Sequence, residues 1–326
     1  MKTKDLAFFS RIVEEVVVEQ KLRPKRLAEF IGQERVKINL KLALESAKMR
    51  GEALDHVLFA GPPGLGKTTL SNIVANELGV KFQATTGPVL RSKKELIPIL
   101  ISLSARQVLF VDEVHRLTPM LEEILYTALE DSKVDVILGE TTHQVDIDPF
   151  TFIGATTRMG KLTAPLRSRF GILLHLEYYS QAELTIIINR SAKILGIEIE
   201  EDGALEIASR ARGTPRIANR LLRRVLDYAL VNGAYVITKP IAQAAFELLE
   251  IDKHGFDNMD RKLLLAIIEK YQGGPVGLHT LAAVLSEEPD VVEEVYEPYL
   301  MQLGFLARTP QGRIATKLAY DHFGIR

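Results

Sequence analysis

The stretch Gly61-Pro62-Pro63-Gly64-Leu65-Gly66-Lys67-Thr68-Thr69 constrains the fold more than any other part of this chain. It satisfies G-x-x-x-x-G-K-[ST] through Gly61, Gly66, Lys67 and Thr68, between the apolar run Val57 to Ala60 and the helix-compatible run Leu70 to Leu78. A strand, a glycine loop and a helix in that order make a phosphate cradle. Glycines let backbone N–H groups close around phosphate oxygens, and the following helix adds its positive N-terminal end. Lys67 is then placed for the β- and γ-phosphates and the Thr68 hydroxyl for Mg²⁺. The reading is an α/β domain with a parallel sheet that binds ATP or GTP.

The chain has 326 residues, enough for two or three domains, and its 47% hydrophobic and 25% charged content is that of a globular protein. A net charge of −1 excludes a uniformly basic nucleic-acid coat, so any polyanion site is local. With no cysteine there are no disulfides or thiolate metal sites, and the seven histidines show no close pair at ligand spacing. In Met1 to Gln20, Arg11, Glu14 and Glu15 interrupt the apolar residues short of a signal sequence. No run approaches the roughly 18 apolar residues of a membrane span, and the expected location is cytoplasmic.

Apolar positions 36, 40, 43, 44 and 47 predict a helix over Val36 to Arg50. Beyond the glycine loop, Lys94 to Leu103 reads as a helix and Val108-Leu109-Phe110-Val111-Asp112-Glu113 as a buried parallel strand ending in two carboxylates. Ligands of such sheets bind at that strand edge. Alone, this pattern often marks only a strand meeting solvent. With the phosphate cradle upstream, it assigns Asp112 to the metal and Glu113 to the attacking water. Pro119 to Glu130 reads as a helix. Val134 to Leu138 and Val145 to Ile147 form a hairpin around residues 139–144, with His143 a solvated residue at its tip. Thr151 to Ala155 is the next buried strand, closing in Thr156-Thr157-Arg158, where a polar side chain is placed for a γ-phosphate or its water. Arg167 and Arg169 precede a further strand, Gly171 to Leu176.

The glycine loop, Asp112-Glu113-Val114-His115-Arg116-Leu117, Gly154-Ala155-Thr156-Thr157-Arg158, Leu166-Arg167-Ser168-Arg169-Phe170-Gly171, Arg212-Gly213-Thr214-Pro215-Arg216 and Gly273-Gly274-Pro275-Val276-Gly277-Leu278 together resemble the RuvB family, bacterial Holliday-junction branch-migration motors of the AAA+ class. The first two motifs are shared across AAA+ proteins and the rest are more specific. The resemblance runs from Leu22 nearly to the C-terminus. It implies Thr157 as the sensor-1 residue, Arg169 as an arginine finger acting on a neighbouring subunit, and Arg216 as a sensor-2 arginine acting on its own nucleotide. Arginine suits both tasks because its planar fork meets phosphate oxygens with a fixed charge. The adenine pocket would lie under Leu22, Arg23 and Ile31, with an aromatic near Tyr178 and Tyr179. The Pro62, Pro63, Gly64, Leu65 and Thr69 backbone would complete the nucleotide contacts.

Residues 180–253 turn helical, with arginines at 210, 212, 216, 220, 223 and 224. The family supplies a lid here, and apart from Arg216 these arginines read as a solvated or subunit-facing stripe. Asp252 to Asp260 reads as a polar linker. Arg261 to Gln272, Leu278 to Leu285 and Val291 to Leu303 read as helices, followed by a hairpin about Pro310-Gln311-Gly312. That pattern describes a winged helix. Residues 255–326 carry 7 basic and 10 acidic residues, a net −3, but after Gly304 Arg308, Arg313, Lys317 and Arg326 face only Asp321. The family places such a wing on DNA, so Arg308 and Arg313 are expected at phosphates.

The expected division is 1–179 for the N-terminal segment and ATPase domain, 180–253 for the lid and 254–326 for the winged helix. The resemblance implies a homo-hexamer on duplex DNA at Holliday junctions, with the junction-binding protein RuvA and the resolvase RuvC as partners. Its hairpin after Gly139 is shorter than the family's, and that hairpin is the family's docking element for RuvA. Two other readings stay open from sequence. A clamp-loader-type AAA+ subunit shares the Ser168-Arg169 pattern, though it would end in a helical collar. A DNA tether switched by ATP without movement shares every nucleotide motif.

Overall fold

The computed structural model describes residues 20–138 and 141–325, so the readings made for residues 1–19, for the Gly139-Glu140 turn and for Arg326 lie outside it. The chain divides after Tyr178 into two compact units.

The first unit is organised around three short apolar segments, Val57–Ala60, Val108–Asp112 and Thr151–Thr156, which read as strands because they are buried on both faces. Its elements are α1 (Glu34–Arg50), β1 (Val57–Ala60), α2 (Lys67–Leu78), β2 (Phe82–Thr86), α3 (Lys93–Ile101), β3 (Val108–Asp112), α4 (Pro119–Glu130), β4 (Lys133–Leu138), β5 (Thr141–Asp146), β6 (Thr151–Thr156), α5 (Ala164–Ser168) and β7 (Ile172–His175). Five strands form one sheet in the order β2-β3-β6-β1-β7, each adjacent pair parallel. β6 is buried along its whole length, as a central parallel strand covered on both faces must be. Its place between β1 and β3 matters, because it brings the residue after β6 between the end of the strand that leads into the glycine loop and the end of the strand that closes in Asp112. Leu96, Leu100, Leu121, Leu125 and Phe152 belong to one core joining α3 and α4 to the sheet. Ser92 caps α3 through a capping box with Glu95.

The hairpin of β4 and β5 differs from its expected form. β5 starts at Thr141, so His143 is a strand residue opposite Val136, and its Nε2 lies 2.9 Å from Thr141 Oγ1. The ladder reaches Leu138 opposite Thr141, so His143 lies within the paired strand and not at the hairpin's tip.

The second unit holds a helical lid and a winged helix. The lid contains α6 (Gln181–Leu195), β8 (Glu198–Ile199), α7 (Glu201–Ser209), α8 (Pro215–Val231), β9 (Val236–Ile237) and α9 (Lys239–Leu248). Gly196 ends α6 in the left-handed region, with its N–H on the Lys193 carbonyl. The winged helix contains α10 (residues 258–270), α11 (Leu278–Leu285), α12 (residues 289–302), β10 (Leu306–Thr309), β11 (Gly312–Ala315) and α13 (Lys317–Phe323). Phe256, Leu263, Ile267, Leu281, Leu300 and Phe305 share its core. Val276 exchanges backbone hydrogen bonds with Arg313 and so adds an edge to the two-stranded wing.

Two helices expected to be regular carry π turns, Ala266–Lys270 in α10 and Val292–Tyr296 in α12. In α12 the cause is local. Pro298 has no N–H to give the preceding turn, and the hydrogen-bond ladder widens just before it.

Candidate nucleotide site and nucleic-acid interface

The cradle is built where β1 ends. Gly61 turns the chain at φ +142°, and a Cβ there would lie 2.5 Å from the Leu176 carbonyl oxygen, so only glycine fits. Gly66, at φ +102°, starts α2 directly, which makes Lys67 and Thr68 the first residues of a helix and sets them at its positive N-terminal end. Lys67 is buried beneath the loop, its Nζ donating to the carbonyls of Gly61 at 2.7 Å and Pro62 at 2.8 Å. Its charge therefore sits inside the cradle.

Thr68 Oγ1 donates to Asp112 Oδ2 at 3.3 Å, and Asp112 Oδ1 accepts from the Glu113 N–H at 2.9 Å. Two hard oxygens converge here from the glycine loop and the end of β3, the donor type that Mg²⁺ takes alongside water and phosphate. Glu113 leaves the strand at φ +50°, an uncommon conformation for its residue type. The turn releases its side chain from the sheet, and Oε2 accepts from Arg116 Nη1 at 3.2 Å. Both partners of that pair are largely exposed, so the pair is weak and exchangeable.

Thr157 follows β6. Its Oγ1 is buried and has no hydrogen-bond partner among the described residues, which singles it out from Thr156, whose hydroxyl meets His115 Nδ1 at 3.0 Å and accepts from the Arg158 N–H at 3.0 Å. Burial holds His115 below the ordinary imidazole range. A buried hydroxyl left over between the cradle and the acids fits a phosphate or its water.

Arg169 caps the C-terminal end of α5, pairs with Glu130 at the end of α4, and has a buried Nε with no partner among the described residues. It lines a cavity of about 340 Å³ with Asp55, His56, Phe150 and Gly171. These neighbours precede β1, β6 and β7, so Arg169 lies at the N-terminal edge of the sheet, opposite the cradle. Leu22 is buried, Arg23 exposed and Ile31 half-buried in the same unit. Gln33 ties this segment to the end of β7, donating to the Glu177 carbonyl and accepting from its N–H.

In the second unit Tyr179 is buried, with its N–H on the Gly213 carbonyl at 2.9 Å. Arg216 stands exposed on the first turn of α8, which Thr214 caps. The arginine stripe is not uniform. Arg220 is exposed, but Arg212 is buried against Asp260 and Arg210 lies over the Phe246 ring at 4.5 Å. Those two do not belong to a solvated face.

The wing also departs from expectation. Arg308 and Arg313 stand opposite each other across the hairpin, where like charges repel unless an acid intervenes. Glu293 lies against both. Arg313 is only 7% exposed, and its Nε and Nη2 donate to the Glu297 carboxylate at 2.7 and 3.2 Å. Glu297 is itself buried, so Arg313 holds the wing to α12 and is not presented to phosphates. Arg308 remains largely exposed. Sequence reasoning missed Arg116, Glu130, Glu293 and Glu297. Only the Glu113–Arg116 spacing could have been read beforehand, since the other pairs depend on how elements pack.

A parallel sheet with β6 between the two site strands, a glycine loop on its C-terminal edge, a lid and a winged helix define a P-loop ATPase of the AAA+ class. The Holliday junction DNA helicase RuvB P-loop domain matches residues 22–176, the RuvB AAA lid domain 179–252 and the RuvB C-terminal winged helix domain 253–324. The Holliday junction branch migration complex subunit RuvB of Koribacter versatilis is 62% identical over 312 residues, covering 94% of this chain and 87% of its own length. That of Solibacter usitatus is 54% identical over 330 residues, covering 100% and 96%. The solved Thermotoga maritima RuvB Holliday junction branch migration motor superposes with a TM-score of 0.88 at 55% identity, covering 94% of this chain and 99% of that one. The chain belongs to the RuvB family.

Proposed function

We propose that this chain is an ATP-hydrolysing motor that drives branch migration of Holliday junctions, acting as a homo-hexameric ring on duplex DNA. The observation that carries the reading is the convergence of Lys67, Thr68, Asp112 and the orphaned Thr157 hydroxyl from three adjacent strand ends, in a chain of this family. Phosphoryl transfer asks for positioning and charge rather than covalent work by the protein. Lys67 holds the β- and γ-phosphates against the backbone of Gly61 to Gly66, Glu113 orients and deprotonates the attacking water, and Thr157 holds that water or the γ-phosphate. Thr68 and Asp112 would hold Mg²⁺, which neutralises charge developing on the phosphate oxygens when bound. Leu22, Arg23 and Ile31 are the first unit's residues for the adenine, and Tyr179 and Arg216 are the second unit's residues for the nucleotide. Arg169 reaches the neighbour's nucleotide, a role supported by its place at the sheet edge away from its own cradle.

The working division is 1–179, 180–253 and 254–326, with lid movement carried to the DNA. Arg308 and Lys317 are the wing's phosphate contacts, in place of Arg313. RuvA docks on the β4–β5 hairpin, whose β5 residues Thr141 to Gln144 are exposed, RuvC joins the same complex, and the setting is cytoplasmic. The experiment is branch migration of a synthetic four-way junction with ATP, with and without RuvA. Movement of the branch point that requires ATP turnover is the expected result. DNA-stimulated turnover without movement would leave the ATP-switched tether in its place.

A further inference from the structure

Residues 252–260 have the composition of a loose connection, yet they are held from both sides. Arg210 Nε donates to the Asp252 carbonyl at 2.9 Å and Arg212 Nε to the Gly255 carbonyl at 2.8 Å. At the end of this stretch Arg212 spreads its fork over the Asp260 carboxylate and reaches Asp257 at 3.2 Å, and it also lies 5.4 Å from the centre of the Tyr299 ring. Asp260 is fully buried and closes the first turn of α10, accepting from the Asp257 N–H at 2.9 Å. Phe256, between these anchors, is fully buried in the winged-helix core.

This arrangement is costly to build. A buried ion pair loses much of its attraction to desolvation, and apolar residues of the same volume often serve stability as well. Arg212 also holds φ +52°, a conformation that persists in a long side chain only where its surroundings fix it. Gly255 at φ +77° brings the chain so close that a Cβ would lie 2.5 Å from the Arg210 carbonyl oxygen. What such a network supplies is a fixed geometry between the elements it joins. On one side is the turn that leads, four residues later, to Arg216. On the other is the first helix of the winged helix.

We propose that Arg212 is a positioning residue that welds the lid to the winged helix through Asp260, so that the two turn as one body and any displacement of the Arg216 turn is delivered to the DNA-binding domain. The proposal rests on the motor reading above for its consequence, but the weld itself is a mechanical property that can be measured separately.

The chain has no cysteine, so a single introduced pair can carry spin labels without background. Val231→Cys in the lid and Leu318→Cys in the winged helix are exposed sites. Pulsed electron paramagnetic resonance on the full-length labelled protein should give one narrow distance distribution, unchanged between nucleotide-free, ADP and non-hydrolysable ATP analogue, with and without duplex DNA. A distribution that shifts or broadens with nucleotide in the otherwise wild-type chain would overturn the weld, whatever the behaviour of any variant. Arg212→Ala should broaden the distribution, keep DNA-free ATPase, and lower branch-point movement per ATP by about tenfold or more, as small misplacements of coupled parts do. Arg212→Lys, which keeps the charge but not the fork, should recover part of the narrow distribution. An Arg212→Ala protein with an unchanged distribution and wild-type movement per ATP would also overturn it. DNA-stimulated ATPase of the unlabelled wild type reports on the motor reading alone, so the two can fail separately.

Discussion

Arg169 and Lys67 stand at opposite edges of the same parallel sheet. Lys67 opens the helix that follows β1, whereas Arg169 lines a cavity with Asp55 and His56, the residues that lead into β1. A four-residue strand separates the two edges by about 13 Å. An arginine there is badly placed for its own nucleotide, which is what the proposed action on a neighbour's nucleotide requires. Arg169→Ala should bind ATP normally and lose turnover by about 10³ or more. Mixed with Lys67→Ala subunits it should regain activity, because an intact Lys67 then meets an intact Arg169. ATPase assays on demonstrably mixed rings check this, and no regain would return Arg169 to a role within its own chain.

Glu113 is the proposed water-activating group, and its pair with Arg116 is too exposed to hold it firmly. Glu113→Gln keeps the cradle and the metal oxygens intact. Nucleotide binding should persist while single-turnover hydrolysis slows by about 10²–10⁴. Hydrolysis at the wild-type rate would remove Glu113 from the mechanism.

The oxygens of Thr68 and Asp112, 3.3 Å apart, predict a divalent-ion requirement. Chelation should abolish turnover, and Asp112→Asn should lower it by about 10² or more while raising the Mg²⁺ concentration needed for half-maximal rate. A Mg²⁺ titration of the ATPase reads both effects. An unchanged titration in Asp112→Asn would place the ion elsewhere.

The two wing arginines should behave differently. Arg308→Ala removes an exposed charge and should shallow the salt dependence of DNA affinity by about 0.9 in log–log slope, with the fold intact. Arg313→Ala leaves the buried Glu297 carboxylate unpaired and should destabilise the winged helix by about 3–5 kcal/mol. Thermal unfolding and DNA titration at several salt concentrations distinguish them. A stable Arg313→Ala protein with a reduced salt slope would restore Arg313 to the DNA.

His56 supplies a pH dependence. Its Nδ1 accepts from the Phe152 N–H at 3.1 Å, so the proton sits on Nε2, which faces the Leu129 carbonyl at 3.2 Å. Burial, the largest effect, lowers its pKa below 6.5, with the Leu129 carbonyl and Asp55 opposing. The folded state resists a proton that the unfolded chain accepts. Stability is therefore full above the ordinary imidazole value and declines as pH falls below it. Thermal unfolding of wild type and His56→Gln between neutral and mildly acidic pH should show a slope in the wild type that the variant lacks.

The sequence alone determined the elements whose information is local. Glycine spacing with Lys67 and Thr68 made the cradle readable, and the apolar run ending at Asp112 made the second site strand readable, because backbone conformation and strand burial are written in adjacent residues. The helix from Pro119 was legible for the same reason, as was the one read from Lys94, which begins one residue earlier at Lys93. The tertiary structure alone decided which strand lies between which, and so why Thr157 rather than Thr156 has an uncommitted hydroxyl. It also decided the fate of each arginine. Arg169, Arg212, Arg308 and Arg313 are alike in sequence, and each is given its role by an acid distant in the chain: Glu130, Asp260, Glu293 and Glu297. A charged side chain's contribution depends on what it meets after packing and on how much water is left around it, and neither quantity is encoded in its neighbours along the chain.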